Sequence, residues 1–210
     1  MKIYKTDKNH FGQNTFLYYD DVKKKGIIID PGLSMEEMAH FIEENEIEIE
    51  KVLITHYHFD HIAGFKLGET FSKETYGSLL EKEQLESPQL NGSIQYLKKE
   101  IVAYCKTYLS EGDEIAFLDT ILKVIVTPGH SHGHVCFYDK KNDIIFSGDT
   151  LFKEGVGRTD LPGGNANDLV TSIKTKLYTL PEETIVYPGH GDKTTIGHEK
   201  RNNPFVKDEV

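Results

Sequence analysis

Four potential metal donors crowd into the six residues that follow one apolar run. Lys51 to Thr55 reads as a strand, and it stops abruptly at His56-Tyr57-His58-Phe59-Asp60-His61. Residues two apart share a face of a strand, so His56, His58 and Asp60 can point together there while His61 cannot. A loop leaving the sheet lifts that restriction and lets all four converge. Three imidazoles and a carboxylate suit zinc, iron or manganese. Three later segments repeat the arrangement: Val124 to His130, Ile144 to Asp149 and Ile185 to His190. In each, a strand ends in a small-residue turn that carries a possible ligand, and Gly or Pro before the polar residue permits a sharp exit. Four strand ends that deliver donors to one edge constrain the chain to an α/β scaffold with a site built on its loops.

The remaining pattern fits such a scaffold. Thr15 to Tyr19 and Gly26 to Ile29 read as strands, the second closed by Asp30-Pro31-Gly32. Ser34, with Glu37 three residues on, predicts a capping box and a helix to about Glu44. Glu74 to Gln84 and Gln95 to Leu109 read as helices. Strands resume at Glu114 to Leu118, Ile121 to Val126, Val135 to Tyr138 and Asp143 to Phe146, followed by a helix near Asn167 to Leu177 and a strand at Thr184 to Val186. No short repeat or linker interrupts residues 1–210, which read as one α/β domain made of two β-rich halves.

Composition narrows the partners. Twenty-four basic against thirty-four acidic residues give a formal charge of -10, which disfavours nucleic acid as a partner. Cys105 and Cys136 have no zinc-finger spacing and form no disulfide framework, which points to a reducing compartment. The N-terminal residues lack a signal-peptide core and no apolar run is long enough to span a membrane. A cytoplasmic chain, monomeric or a small homo-oligomer, is the expectation.

These motifs, in this order, resemble the metallo-β-lactamase fold superfamily: Asp30, His56-x-His58-x-Asp60-His61, His130, Asp149 and His190. The resemblance covers essentially the whole chain and implies a four-layer αββα sandwich of two mixed β-sheets flanked by helices. It assigns His56, His58 and His130 to one divalent metal, Asp60, His61 and His190 to a second, and Asp149 to both. Zinc comes first, with iron and manganese also compatible. Asp30 and Thr55 are expected behind the ligands. Asp149 stands where the antibiotic-cleaving branch with a cysteine ligand would show Cys, which argues against β-lactam hydrolysis.

Residues 148–205 carry a narrower resemblance, to short glyoxalase II-like hydrolases of hydroxyacyl-glutathione thioesters. It rests on Gly148-Asp149-Thr150-Leu151-Phe152, Gly157-Arg158-Thr159-Asp160 and Asn203-Pro204-Phe205. Two departures bear on substrate: Arg158 replaces a substrate-binding Lys, and Asp160 replaces a Tyr. The additional C-terminal helical domain of longer members is also expected to be missing. The resemblance implies attack on a thioester or ester by a metal-bridging hydroxide, with Asp60 and Asp149 as the catalytic carboxylates. Arg158 either contacts substrate or pairs with Asp160. His134 is expected to bond a backbone carbonyl, Cys136 to pack in the core, Tyr57 and Phe59 to pack or line the mouth, and His10, His40, His132 and His198 to lie outside the ligand set. The alternatives are an iron-dependent persulfide dioxygenase on the same fold and a hydrolase of another ester or lactone.

Overall fold

β-Branched and aromatic runs early in the chain pair as strands, because their side chains pack well on a pleated, half-buried surface. The computed structural model describes residues 1–206, and the chain falls into two units, Met1–Leu109 and Ser110–Val210.

In the first unit, β1 (Lys2–Thr6), β2 (Thr15–Asp20) and β3 (Lys25–Ile29) form an antiparallel meander. Helix α1 (Met35–Glu44) then crosses to β4 (Glu48–Leu53), parallel to β3. Helices α2 (Phe59–Ile62) and α3 (Phe65–Phe71) lead to β5 (Thr75–Ser78). After α4 (Lys82–Leu85) and α5 (Ser93–Leu97), β6 (Thr107–Leu109) closes a six-stranded mixed sheet in sequence order. Met35, Met38 and Ile42 of α1 bury against Leu17, Ile28 and Val52 of the sheet.

The second unit repeats the mixed pattern. Strands β7 (Glu114–Phe117), β8 (Thr120–Val126), β9 (Val135–Asp139) and β10 (Ile144–Gly148) are antiparallel neighbours. A short hairpin of β11 (Leu151–Phe152) and β12 (Gly155–Val156) precedes α6 (Ala166–Ser172). The chain returns as β13 (Ile185–Pro188), parallel to β10, then β14 (Thr194–Thr195) and α7 (Ile196–Asn202). Leu169, Ile173 and Leu177 pack on Ile125, Cys136, Ile145 and Val186.

Three expectations are corrected. The helix read over Glu74 to Gln84 begins as β5, and only Leu79 onward turns helical. The helix read over Gln95 to Leu109 stops at Leu97 and ends in β6. Both errors fall on parallel strands of three or four residues, too short to show a period. The capping box does not form, because Ser34 Oγ accepts from Asn9 Nδ2 at 2.9 Å and Glu37 pairs with Lys8.

Candidate functional site

The first unit's donors lie where β4 ends. His56 and His58 precede α2, which carries Asp60 and His61, and all four side chains are buried. The His56 ring lies 4.8 Å from that of His58 and 4.1 Å from that of His61, between centroids. His61 Nε2 is 3.8 Å from Asp60 Oδ2, beyond hydrogen-bond length.

Behind them stands Asp30, in a left-handed backbone conformation (φ 51°) directly after β3. Its Oδ1 accepts the Thr55 N–H at 2.7 Å, and its Oδ2 accepts the Thr55 hydroxyl at 2.7 Å and His61 Nδ1 at 2.8 Å. A carboxylate has no proton to give, so His61 carries its proton on Nδ1 and offers the Nε2 lone pair. The same reasoning fixes His56. The single Thr55 proton goes to Asp30, so Thr55 Oγ1 accepts from His56 Nδ1 at 3.1 Å. Glu81 is fully buried and accepts the Tyr57 N–H at 2.8 Å, which pins the turn between His56 and His58. Gly32 lets the chain pass close, since a Cβ there would lie 2.3 Å from the Asp60 carbonyl oxygen.

The second unit gathers His130, Asp149 and His190. Parallel β10 and β13 end side by side, and Gly189 N–H bonds the Gly148 carbonyl at 2.8 Å, so Asp149 and His190 leave the sheet together. Asp149 Oδ2 lies 3.5 Å from Nε2 of both His130 and His190. His130 donates Nδ1–H to the Arg158 carbonyl at 2.8 Å, which again leaves Nε2 as the lone-pair nitrogen. Gly157 makes this contact possible: a Cβ there would stand 1.9 Å from the Asp149 carbonyl oxygen.

His134 meets partners that the sequence does not name: Nε2 accepts the Asp149 N–H at 3.0 Å, and Nδ1 meets Thr127 Oγ1 at 3.0 Å and Thr150 Oγ1 at 3.1 Å. It braces Asp149 from behind. Of the two readings for Arg158 the pair with Asp160 is present, with Nε and Nη2 each 2.7 Å from a carboxylate oxygen of Asp160. Its bonding holds the Asp160 carboxyl down at about 2. His198 bonds Glu154 at 2.9 Å, His40 lies 3.2 Å from Glu44, and His10 and His132 are exposed. Cys136 is buried in the second unit's core. Tyr57 packs with Ile54, Ile62 and Phe65, and burial pushes its phenol up to about 12.

Sequence reasoning missed Glu81 and the bracing role of His134. Glu81 sits in a charged, helix-like stretch with nothing to mark it. His134 had a signal, the third histidine in the turn-rich segment after β8, but not one that named its partner.

Comparisons with known proteins find relatives over most of the chain. A family described as "Metallo-beta-lactamase superfamily" matches residues 9–190. The chain is 41% identical to a probable metallo-hydrolase, YqgX, of Bacillus subtilis, over 91% of this chain and 90% of that one. It is 38% identical to the hydroxyacylglutathione hydrolase GloC of Haemophilus influenzae, over 93% of both. Among solved structures, BLEG-1 B3 metallo-beta-lactamase superposes with a TM-score of 0.92 at 36% identity, covering 99% of this chain and 100% of that one. TTHA1623 in a di-iron-bound form gives 0.83 at 33%, covering 97% and 100%.

Proposed function

Because the chain belongs to the metallo-β-lactamase superfamily, with metallo-hydrolases among its relatives, we propose that it hydrolyses a small-molecule thioester of the hydroxyacyl-glutathione type at a site for two divalent ions. His56, His58 and His130 are the donors proposed for one ion, Asp60, His61 and His190 for the other, and Asp149 for both.

The observation that carries this reading is the pattern of ring protons. His61 and His130 each spend Nδ1–H on an oxygen, the Asp30 carboxylate and the Arg158 carbonyl, so each turns a basic Nε2 away from that partner. Imidazoles oriented in this way, with buried carboxylates beside them, fit divalent zinc, iron or manganese. A bound pair of such ions supplies Lewis acidity and lowers the pKa of water from about 16 to about 7.

The chain's own residues then have three tasks. Asp30 and the Arg158 carbonyl fix the tautomers of His61 and His130. Glu81 and His134 hold the backbone from which His56, His58 and Asp149 project. Asp60 and Asp149 supply negative charge that favours a cationic centre. A thiolate leaves without needing a proton, so the reaction asks no general acid of the chain. The relative called a hydroxyacylglutathione hydrolase favours the thioester, and the di-iron-bound structure keeps iron beside zinc. The Asp149 argument against β-lactams concerns the branch with a cysteine ligand. The match to a protein called a B3 metallo-beta-lactamase therefore puts a β-lactam in the substrate panel.

The test is purified protein assayed on S-lactoylglutathione, an aryl ester, a lactone, a β-lactam and, by oxygen uptake, glutathione persulfide. The expected result is thioester cleavage with kcat/KM on the order of 10⁴ M⁻¹s⁻¹ or more, lost on chelation and restored by added metal. Oxygen uptake with the persulfide and no thioester turnover would replace this reading with the dioxygenase.

A further inference from the structure

Three aromatic side chains of the first unit form an array at the turn that carries Asp60. Phe59 stands between His58 and Asp60 and is buried. Tyr96 stacks on it with centroids 4.9 Å apart and planes 20° apart, and Phe11 meets it edge-on at 5.0 Å. Phe11 and Tyr96 nevertheless leave 42% and 44% of their surface in solvent.

The array is held in place by its surroundings. Gly92, at φ 85°, passes beside the stack, and a Cβ there would come within 3.2 Å of Tyr96 and 3.4 Å of Phe59. The Phe11 loop is tied by Asn9, whose Oδ1 accepts the N–H of Phe11 and of Gln13, each at 3.1 Å. Beside Phe11 opens a cavity of about 560 Å³ lined by Lys8, Asn9, His10, Phe11, Leu33 and Leu97. That volume suits a small molecule, for which sites run to about 300–1,000 Å³. The cavity adjoins the Asp60 turn twice, through Phe11 against Phe59 and through Leu33, the neighbour of Gly32.

We propose that Phe11, Phe59 and Tyr96, with the cavity at Phe11, form a subsite for an aromatic or bulky aliphatic acyl group of the substrate. The inference rests on the thioester reading for the reaction but makes its own claim about specificity. A glutathione-type thiol carries two carboxylates and gains little from an apolar wall whose lysine, Lys8, is already paired with Glu37 at 2.9 Å. The acyl side can be apolar, and a ring there meets faces and edges of ready-placed rings. Exposed aromatic surface next to a polar centre is the kind of patch that a ligand covers.

The experiment is calorimetric titration of the metal-loaded, full-length protein with two thioethers that cannot be hydrolysed, S-benzylglutathione and S-methylglutathione. The benzyl compound should bind about tenfold more tightly or better. Phe11→Ala and Tyr96→Ala should each cut that ratio about threefold or more, and Tyr96→Phe should preserve it. Thermal melts of all variants check that the fold survives. Equal affinities in the wild type, no binding of the benzyl compound, or a ratio indifferent to both alanine variants overturns the subsite. Because the ligands are inert, a protein that shows the ratio yet cleaves no thioester contradicts the reaction and leaves the subsite standing.

Discussion

At the scale of single residues, what the sequence exposes is donor chemistry, and what it hides is bracing. His56, His58, Asp60, His61, His130, Asp149 and His190 are legible because they stand where apolar runs end. Glu81 is not, because its task is to accept a backbone N–H from a residue far away in sequence. That task predicts an asymmetry. Glu81→Leu removes the acceptor and should cost about 1–3 kcal/mol, with weaker metal binding, whereas Glu81→Gln keeps an acceptor oxygen and should recover most of both. Thermal melts with metal titrations read the difference, and equal behaviour of the two variants would deny Glu81 its role. The Arg158–Asp160 pair gives a pH prediction. The Asp160 carboxyl is held at about 2, below its ordinary 3.8, so the pair is intact above the ordinary value and is lost as pH falls through the lower one. Both groups are exposed, so the signal lies in the titration rather than in stability. An NMR titration should place the Asp160 midpoint near 2 in the wild type and return it toward 3.8 in Arg158→Gln.

At the scale of elements, strands with a clear alternation were legible and brief parallel ones were not. β8 buries every second residue over much of its length, and such a run announces itself. β5 and β6 gain their stability from neighbouring strands in the sheet, a context that Thr75-Tyr76-Gly77-Ser78 does not encode locally. Helix ends divide in the same way. Asn165 caps α6, accepting the N–H of Asn167 at 2.9 Å and of Asp168 at 3.2 Å, while Ser34 bonds Asn9 and caps nothing. Asn165→Ala should therefore cost about 1 kcal/mol and speed amide exchange in the first turn of α6. Ser34→Ala should leave the first turn of α1 unchanged and loosen the Phe11 loop. Faster exchange at α1 in Ser34→Ala would contradict this.

At the scale of the whole molecule, two β-rich halves and the order of the donor segments were enough to place the chain in its family. The chain has the metallo-β-lactamase fold, with two mixed β-sheets and helices, as the resemblance implied. No helix among the described residues is long and apolar enough to cross a membrane. The central claim is that seven side chains hold two ions, and elemental analysis after equilibrium dialysis against zinc or iron(II) tests it most directly. The account predicts two equivalents per wild-type chain and about one in each of His58→Ala and His190→Ala, with each variant still folded. Two equivalents retained in both variants, or none bound by the wild type, would contradict it.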